Sequence, residues 1–320
     1  MAIWRRVASV SLFFLLTGCL EPGRECLAPA NPGGGWDLTC RAVARVVREE
    51  GILAGSLRVR NLPGAGGGIA FAHIAADRRG DAGVLVAASP ATTLRLAQGQ
   101  FGDLSAEDVR WLGAIATDYG VVAVRADAPW NDLESLLSEW RAAPGSIVAA
   151  GGSAVGGQDH MKLLLLARET GIDVRSLRYV PFDGGGEALT ALLGGFVAVI
   201  SGDASELVEH AELGSIRLLA MLSPERLEGR FAEVPTAREF GHAVDWPTWR
   251  GFYVPRDLED AEYEAWIDAL RSMQATTEWK RVLERRGLTD FSLLGREFEI
   301  FVGEQIVRFR EMSDSLELRR

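Results

Sequence analysis

The sequence predicts an α/β fold arranged as two lobes, each with a sheet flanked by helices. A short apolar strand, a turn rich in small residues and a helix follow one another repeatedly along the chain. This alternation is typical of sheets that are covered by helices and whose strands are mostly parallel. Two long β-rich runs, residues 119–130 and 248–257, interrupt the series and divide it into two groups.

The bulk properties are those of a globular protein with more than one domain. The chain has 320 residues, of which 48% are hydrophobic and 24% are charged. Single domains are usually shorter than this, so two are expected. The net charge is −10 and basic residues are not clustered beyond pairs. This charge pattern argues against a nucleic-acid partner.

Residues 1–18 are interpreted as a lipoprotein signal peptide. A basic start, MAIWRR, precedes the apolar run VASVSLFFLL, which is too short to span a bilayer as a mature helix. The string LTGC, Leu16–Cys19, resembles the lipobox of bacterial lipoproteins, which implies that Cys19 is lipidated after cleavage. Residues 19–26 would then form a tether to the membrane. An ordinary signal peptide or an uncleaved anchor, with Cys19 incidental, is the alternative.

Two further cysteines, Cys26 and Cys40, lie on either side of a glycine run. Export places the protein in an oxidising compartment, so a disulfide between them is expected. In the chain-entropy model a loop of about 14 residues contributes roughly 3 kcal/mol. A pair of buried free thiols is the alternative. Two cysteines without a neighbouring histidine do not suit a metal ion, and we expect neither a metal nor a cofactor.

Seven strand–turn–helix units are expected between residues 26 and 228. The first joins the strand CLAPA to a helix near Leu38–Glu50, where apolar residues recur at helical spacing. The seventh joins SIRLLAML to a short helix at SPERLE. Two helices, DAEYEAWIDALRSM and REFEIFVGEQIVRFREM, are expected near the end of the chain, with core-facing apolar stripes. The stripe of the second comprises Phe298, Phe301, Ile306 and Phe309.

The two β-rich runs are expected to carry the chain from one lobe to the other and back. Lobe 1 would comprise residues 27–118 together with the returning segment 249–320. Lobe 2 would be the inserted segment 126–248. The crossovers 119–125 and 249–255 would serve as hinges between the lobes.

Four glycine-rich turns, at 33–35, 64–68, 151–157 and 184–186, follow predicted strands. In open α/β sheets ligands bind at the carboxyl ends of strands, where helix N-termini present unpaired N–H groups and partial positive charge. Glycine lets an anion approach these groups because no Cβ intervenes. Two turns from each lobe would form a cage of amides for a ligand with several carboxylates. Tight turns that bind nothing are the alternative.

Polar and aromatic residues beside these turns each have two interpretations. Trp36 is either a lid on the ligand or an anchor in the core. Ser89 and Ser153 either donate hydroxyl groups to a ligand or cap the helices that follow them. Asp37 and Asp159 either lie beside the ligand, where their negative charge would be unfavourable for an anion, or act as N-caps of their helices.

The sequence lacks the motifs of common enzymes. The patterns G-x-S-x-G, G-K-[ST], HExxH and G-x-G-x-x-G are absent. An exported hydrolase would have to use Ser153 as its nucleophile and His160 as its base. A structural role for His160 is the alternative, and we expect no enzymatic activity.

Five strings in register are similar to one known family. These are APANPGGGWDLTCRAVA, NLPGAGGGIAFAHIA, GGSAVGGQDHMK, VPFDGGGEALTALLGG and EVPTAREFG. They resemble the substrate-binding proteins of tripartite tricarboxylate transporters, the Bug family of periplasmic solute receptors. The resemblance implies a Venus-flytrap fold that closes on a di- or tricarboxylate such as citrate. It also implies transfer of the ligand to membrane permease subunits, and we expect a monomer. A receptor that feeds a sensor kinase is the alternative.

In this family the ligand carboxylates are held mainly by backbone amides and waters of the glycine-rich loops. Carried over by position, the resemblance implies ligand contacts at Gly33, Gly34, Gly35, Trp36, Asp37, Gly66, Gly67, Ser89, Gly152, Ser153, Ala154, Asp183, Gly184 and Gly185. Two positions depart from the family pattern. Trp36 replaces a small residue or threonine, and Phe196 replaces glutamine, so the size of the ligand stays open.

Overall fold

The computed structural model describes residues 23–316 and Leu318. The predicted signal peptide, Cys19 and the first part of the tether lie outside the described residues, as do the last two residues of predicted lobe 1. Within the described part, every helix is too short or too polar to cross a bilayer.

Strands and helices alternate through most of the chain. The strands are β1 (Arg24–Ala28), β2 (Leu57–Asn61), β3 (Val84–Ala88), β4 (Val109–Arg125), β5 (Val148–Gly151), β6 (Arg178–Pro181), β7 (Val199–Asp203), β8 (Ile216–Leu222), β9 (Pro247–Pro255) and β10 (Thr289–Leu294). The helices are α1 (Gly35–Glu49), α2 (Gly68–Asp77), α3 (Pro90–Ala97), α4 (Leu133–Ala142), α5 (Gln158–Glu169), α6 (Gly185–Leu193), α7 (Ala204–Glu212), α8 (Asp260–Gln274), α9 (Thr277–Arg286) and α10 (Arg296–Ser315).

These strands form one mixed sheet. The first group, β2-β1-β3, and the second group, β6-β5-β7, each pair in parallel, as the strand–turn–helix units predict. The centre differs, because the long strands β4 and β9 run antiparallel to their neighbours. The prediction of a mostly parallel sheet is therefore wrong there. The strand that leaves the first group and the strand that returns to it lie side by side and run in opposite directions.

β4 changes partners halfway along its length. Tyr119 faces Pro247 of β9, whereas Gly120 begins the pairing with β7 and β8. On the return path, the Trp246 carbonyl accepts a hydrogen bond from the Gly120 amide. The predicted lobe boundaries and crossovers stay predictions. We propose that the hinge lies at Tyr119–Gly120 and Trp246–Pro247, where the pairing changes from one group to the other.

The seventh unit lacks its predicted helix. Residues 223–228 form bends and irregular backbone after β8, and short 3₁₀ turns follow at Gly229–Phe231 and Arg238–Phe240. Gly229 has a φ of 65° and Pro235 removes a backbone donor a few residues later. The stretch between Pro224 and Gly229 is thus too short for a stable helix.

Helices cover both faces of the sheet and bury its apolar side chains. In the first group, α1, α8 and α9 pack on one face, and α2, α3 and α10 pack on the other. In the second group, α4 and α5 lie on one face, while α6 and α7 lie on the opposite face. Phe298, Ile306 and Phe309 of α10 are buried, as their spacing predicts, whereas Phe301 is partly buried.

The predicted disulfide is confirmed. Cys26 of β1 and Cys40 of α1 are bonded, with their Cα atoms 5.6 Å apart and both residues fully buried. The bond closes the segment that contains the glycine run 33–35. It therefore fixes the first strand and the first helix around that turn.

Candidate ligand-binding site

A cavity lies between the two groups of strands, at the carboxyl ends of β1, β2, β3, β5 and β6. The turns after these strands meet there because parallel strands end at the same edge of a sheet. The lining comprises Pro29, Ala30, Trp36, Gly64, Gly66, Ser89, Ala91, Arg95, Gly152, Ser153, Ala154, Gly157, Gln158, Asp159, Phe182, Asp183, Gly184, Gly185, Glu206 and Arg250.

Most of the sequence-predicted positions lie in this lining. They are Trp36, Gly66, Ser89, Gly152, Ser153, Ala154, Asp183, Gly184 and Gly185. Five others lie beside the cavity without lining it: Gly33, Gly34, Gly35, Asp37 and Gly67. Ligand contact at any of these positions stays a prediction.

The first glycine turn, at 33–35, is held by the carboxylate of Asp37. Asp37 is buried, and its carboxylate accepts hydrogen bonds from the Gly33 amide at 2.9 Å, from Arg41 at 2.8 Å and from Asn61 at 2.9 Å. Burial alone would raise the pKa of Asp37, but these hydrogen bonds hold the pKa below its usual value. The N-cap of α1 is Gly34, so the prediction of Asp37 as a cap is wrong. Asp37 instead occupies the Gly33 amide and braces the turn.

The glycines of the second group also allow the backbone to pack closely. A Cβ on Gly152 would overlap the backbone of Gly184 and Gly185, and a Cβ on Gly185 would overlap the carboxyl group of Glu206. Gly184 differs, because a Cβ there would meet nothing closer than 4.0 Å. The lack of a side chain thus allows close packing at Gly152 and Gly185, whereas Gly184 faces open space.

Trp36 and Ser89 join two of the turns. The indole Nε1 of Trp36 donates to Ser89 Oγ at 3.1 Å, and its ring lies against Gly67. Ser89 is the N-cap of α3, and its Oγ also accepts from the Ala91 amide at 3.2 Å. Because Oγ already accepts two hydrogen bonds, the Ser89 hydroxyl is left to donate into the cavity. Ser89 therefore both caps its helix and offers a donor.

Ser153 and His160 do not form a nucleophile–base pair in the described structure. Ser153 Oγ accepts from the Asp159 amide at 3.0 Å, and the Tyr179 hydroxyl donates to the Ser153 carbonyl at 2.7 Å. His160 Nδ1 accepts from the Gly156 amide at 3.0 Å. Burial lowers the pKa of His160 to about 4, so the ring is neutral at pH 7. Its position is that of a structural histidine packed on Tyr179.

Two arginines in the lining are absent from the sequence prediction. Arg95 of α3 reaches across the cavity and donates from Nη1 to Gln98 at 3.1 Å and to the Val155 carbonyl at 3.4 Å. Its buried Nε has no hydrogen-bond partner in the described structure. Burial lowers the pKa of Arg95, which nevertheless stays charged at neutral pH. This guanidinium is thus available to an anion in the cavity.

Arg250 of β9 is the second arginine and is only 3% exposed. Its Nη2 donates to Asp118 at 2.6 Å and to Asp203 at 3.0 Å. Burial opposes its charge, but the neighbouring carboxylates raise the pKa of Arg250 above its usual value. Its Nη1 lies beside Gly35, and none of its hydrogen bonds to described residues comes from that nitrogen.

A group of ionisable side chains, which we call the buried charged cluster, extends from the lining into the interior, and all of its members except the partly exposed Glu206 are buried. It comprises Asp118, Asp159, Lys162, Asp203, Glu206 and Arg250. Lys162 is fully buried, and its Nζ contacts Asp159 at 2.9 Å, Asp203 at 2.7 Å and the Gly202 carbonyl at 2.9 Å. Gly157 is the N-cap of α5, so the prediction of Asp159 as a cap is also wrong. Asp159 is a partner of Lys162 instead.

Asp159, Glu206 and Arg250 are the members of the cluster that line the cavity, and Glu206 is the least buried of the three. No described residue forms a hydrogen bond with its carboxyl group, in contrast to the three aspartates. Burial, followed by the negative charge of Asp203, raises the pKa of Glu206 to about 8. In residues 23–316, acids, histidines and cysteines do not assemble into a group of three or more that could hold a metal ion.

Comparison with known proteins identifies the family. Residues 40–318 match the model of the tripartite tricarboxylate transporter family receptor. The chain belongs to this receptor family. Its members are periplasmic receptors and not enzymes, which gives the protein an extracytoplasmic location.

Individual relatives agree with this assignment. Protein BugT of Bordetella pertussis is 27% identical over 254 residues, which cover 76% of each chain. Two solved structures of proteins from Rhodopseudomonas palustris share the fold. MatC, solved with bound malate, has a TM-score of 0.79 and 22% identity, with 91% of this chain and 98% of that chain covered. Rpa4515, solved with adipate, has a TM-score of 0.83 and 21% identity, with 91% and 96% covered.

Proposed function

We propose that this receptor captures a di- or tricarboxylate, such as citrate, and delivers it to the permease subunits of a tripartite tricarboxylate transporter. The observation that carries the proposal is the cavity itself. Glycine-rich turns from both groups of strands meet there with two arginines, Arg95 and Arg250. Backbone amides at helix N-termini and guanidinium groups both bind carboxylates.

The number of donors is sufficient for a useful affinity. A hydrogen bond to a charged group contributes about 1.5–3 kcal/mol. Three or four of them, after the cost of association, support a micromolar dissociation constant, which corresponds to about −8 kcal/mol. Two separate cationic groups on different elements favour a ligand with at least two carboxylates over a monocarboxylate.

Ligand capture by closure of the two lobes is part of the proposal. Three hydrogen bonds join the walls of the cavity: Asn31 to Glu187 at 2.8 Å, Gln98 to the Gly156 carbonyl at 2.8 Å, and Arg95 to the Val155 carbonyl at 3.4 Å. Rotation about the proposed hinge would break them and open the site. No bond of the ligand is made or broken in this step.

The remaining features of the receptor are proposed on the sequence alone. Lipidation of Cys19 would keep the receptor at the membrane face near its permease, and the receptor would act as a monomer. Mass spectrometry of the purified N-terminal peptide tests the anchor. Loss of diacyl modification and of membrane localisation is expected for Cys19→Ala.

A titration tests the ligand class. The exported, purified protein is titrated with citrate, malate, adipate and, as a control, acetate, while heat and melting temperature are recorded. A ligand at 100 times its dissociation constant adds about 2.7 kcal/mol of stability. We expect at least one di- or tricarboxylate to bind with micromolar affinity and acetate to bind far more weakly. The proposal is wrong if none of the three stabilises the protein.

A further inference from the structure

Arg250 Nη1 and the carboxyl group of Glu206 form no hydrogen bond with a described residue, and the two lie close together. A Cβ on Gly35, the first residue of α1, would overlap Arg250 Nη1 and would lie 2.7 Å from Glu206 Oε1. Glu206 forms no hydrogen bond with a described residue, and Arg250 directs only Nη2 to the cluster. Arg250 Nη1 and the unpaired carboxyl group of Glu206 therefore lie close together beside Gly35, and both residues line the cavity.

The balance of charges in the cluster indicates which of its carboxyl groups stays protonated. The carboxyl groups of Asp118, Asp159, Asp203 and Glu206 outnumber the two cations, Lys162 and Arg250. Full ionisation would leave two negative charges unbalanced in a buried volume, which is costly. Each aspartate is held as an acceptor by Lys162 or Arg250. Burial raises the pKa of Asp118 and Asp159 as well, but a proton on either would disrupt the hydrogen bond that it accepts from Arg250 or Lys162. Glu206 lacks such a bond, so it is the carboxyl group that keeps a proton at the least cost.

We propose that Glu206 is a specificity-determining residue that donates a hydrogen bond from its carboxyl group to one carboxylate of the ligand, while Arg250 pairs with the same carboxylate. This inference rests on the proposed function and deepens it. The proposed ligand is therefore an acid with one carboxylate that accepts a hydrogen bond from the protonated carboxyl group of Glu206.

The geometry makes ligand binding depend on pH in a defined direction. The charged groups around Glu206 are Asp118 of β4, Asp159 and Lys162 of α5, Asp203 of β7, Arg250 of β9 and, elsewhere in the cavity lining, Arg95 and Asp183. Burial, followed by the negative charge of Asp203, raises the pKa of Glu206 to about 8. A bound carboxylate that accepts the proton raises the pKa further. Affinity is therefore constant below about pH 8 and weakens as pH rises through that value.

The experiment measures affinity between pH 6.5 and 9.5 for whichever of malate, adipate and citrate binds most tightly at pH 7. Carboxyl groups with ordinary pKa values, including those of the ligand, stay ionised over this range, so a change in affinity reports a titration in the receptor. For the wild-type protein we expect affinity to fall about tenfold per pH unit above pH 8. Glu206→Ala weakens binding at pH 7 by about tenfold or more and removes the pH dependence. Glu206→Gln, which still donates from an amide, weakens binding less than alanine and is also independent of pH.

A matched control separates this effect from loss of charge on the same helix. Glu209 lies one turn further along α7 and does not line the cavity, so Glu209→Gln is expected to keep the wild-type pH profile. A wild-type affinity that is flat to pH 9.5, or that rises with pH, overturns the inference while leaving the receptor function intact. A rising affinity would indicate an ionised Glu206 that accepts from the ligand. Absence of binding by all three acids at pH 7 would instead contradict the proposed function.

Discussion

The wall of the cavity and the buried charged cluster that extends from it into the interior are built in opposite ways. The glycine turns of the wall expose backbone, because Gly64, Gly66, Gly152, Gly184 and Gly185 carry no side chain. The cluster is made of side chains, with Lys162 fully buried and Arg250 only 3% exposed. The wall can shape a site and offer amide donors, while the cluster sets its charge. Variants that touch one region and spare the other can therefore separate recognition from stability.

The largest effect is expected in the cluster. Lys162→Met would leave Asp159 and Asp203 without a shared cation, and removing one partner of a buried ion pair costs about 3–5 kcal/mol. Urea unfolding followed by tryptophan fluorescence measures the loss. The only other lysine of the chain, Lys280, is exposed, so Lys280→Met is the control and is expected to change stability by less than about 0.5 kcal/mol. Equal effects of the two variants would show that the cluster does not hold the sheet together.

The next largest effect concerns the brace of the first turn. Replacing Cys26 and Cys40 with alanine is expected to lower the free energy of unfolding by about 2–4 kcal/mol. The measurement is urea unfolding of the double variant beside wild-type protein with and without reductant. Reduced wild-type protein and the double variant should unfold at similar midpoints. An unchanged midpoint in the variant would contradict a stabilising role for the disulfide.

Arg95 should affect recognition and spare stability. Arg95→Gln removes a guanidinium whose Nε has no partner among the described residues and whose Nη1 bond to the Val155 carbonyl is long and exposed, so the free energy of unfolding should fall by no more than about 1 kcal/mol. Loss of a charge-assisted hydrogen bond weakens ligand binding by about 1.5–3 kcal/mol, which is roughly tenfold to a hundredfold. Calorimetric titration measures this, with Arg79→Gln as a control, since Arg79 pairs with Asp257 at the surface. If Arg95→Gln binds the ligand as tightly as the wild-type protein does, Arg95 does not contact the ligand.

The smallest effects distinguish two glycines of the wall. Gly152→Ala would force a Cβ into the backbone of the neighbouring turn and should cost about 1–3 kcal/mol of stability. Gly184→Ala places its Cβ in open space and should leave stability almost unchanged. If the ligand touches the backbone there, Gly184→Ala weakens binding several-fold. Thermal melting and titration of both variants measure the two quantities, and a ligand affinity unaffected by Gly184→Ala would place the ligand elsewhere.

The contrast between the glycine turns and the buried charged cluster also explains which features the sequence could predict. Glycine turns, the Cys26–Cys40 pair and the strand–helix alternation are local patterns, and the structure contains them except for the helix of the seventh unit. Single charged residues carry no such pattern. Lys162 lies in a helix whose charged residues would be expected at the surface, and Arg250 joins the cavity from β9 only through long-range strand pairing. Glu206 likewise reaches the site only when α7 packs behind the turn that contains Gly185.

The central claim is that carboxylates of a small ligand bind in the cavity between the two groups of strands. A crystal structure of the protein with its tightest ligand from citrate, malate and adipate tests it most directly. The predicted result is one ligand with its carboxylate oxygens within about 3.2 Å of Arg95, of Arg250 and of amides in the turns at 152–154 and 184–185. A ligand bound outside this cavity, or bound there without contact to either arginine, would contradict the account.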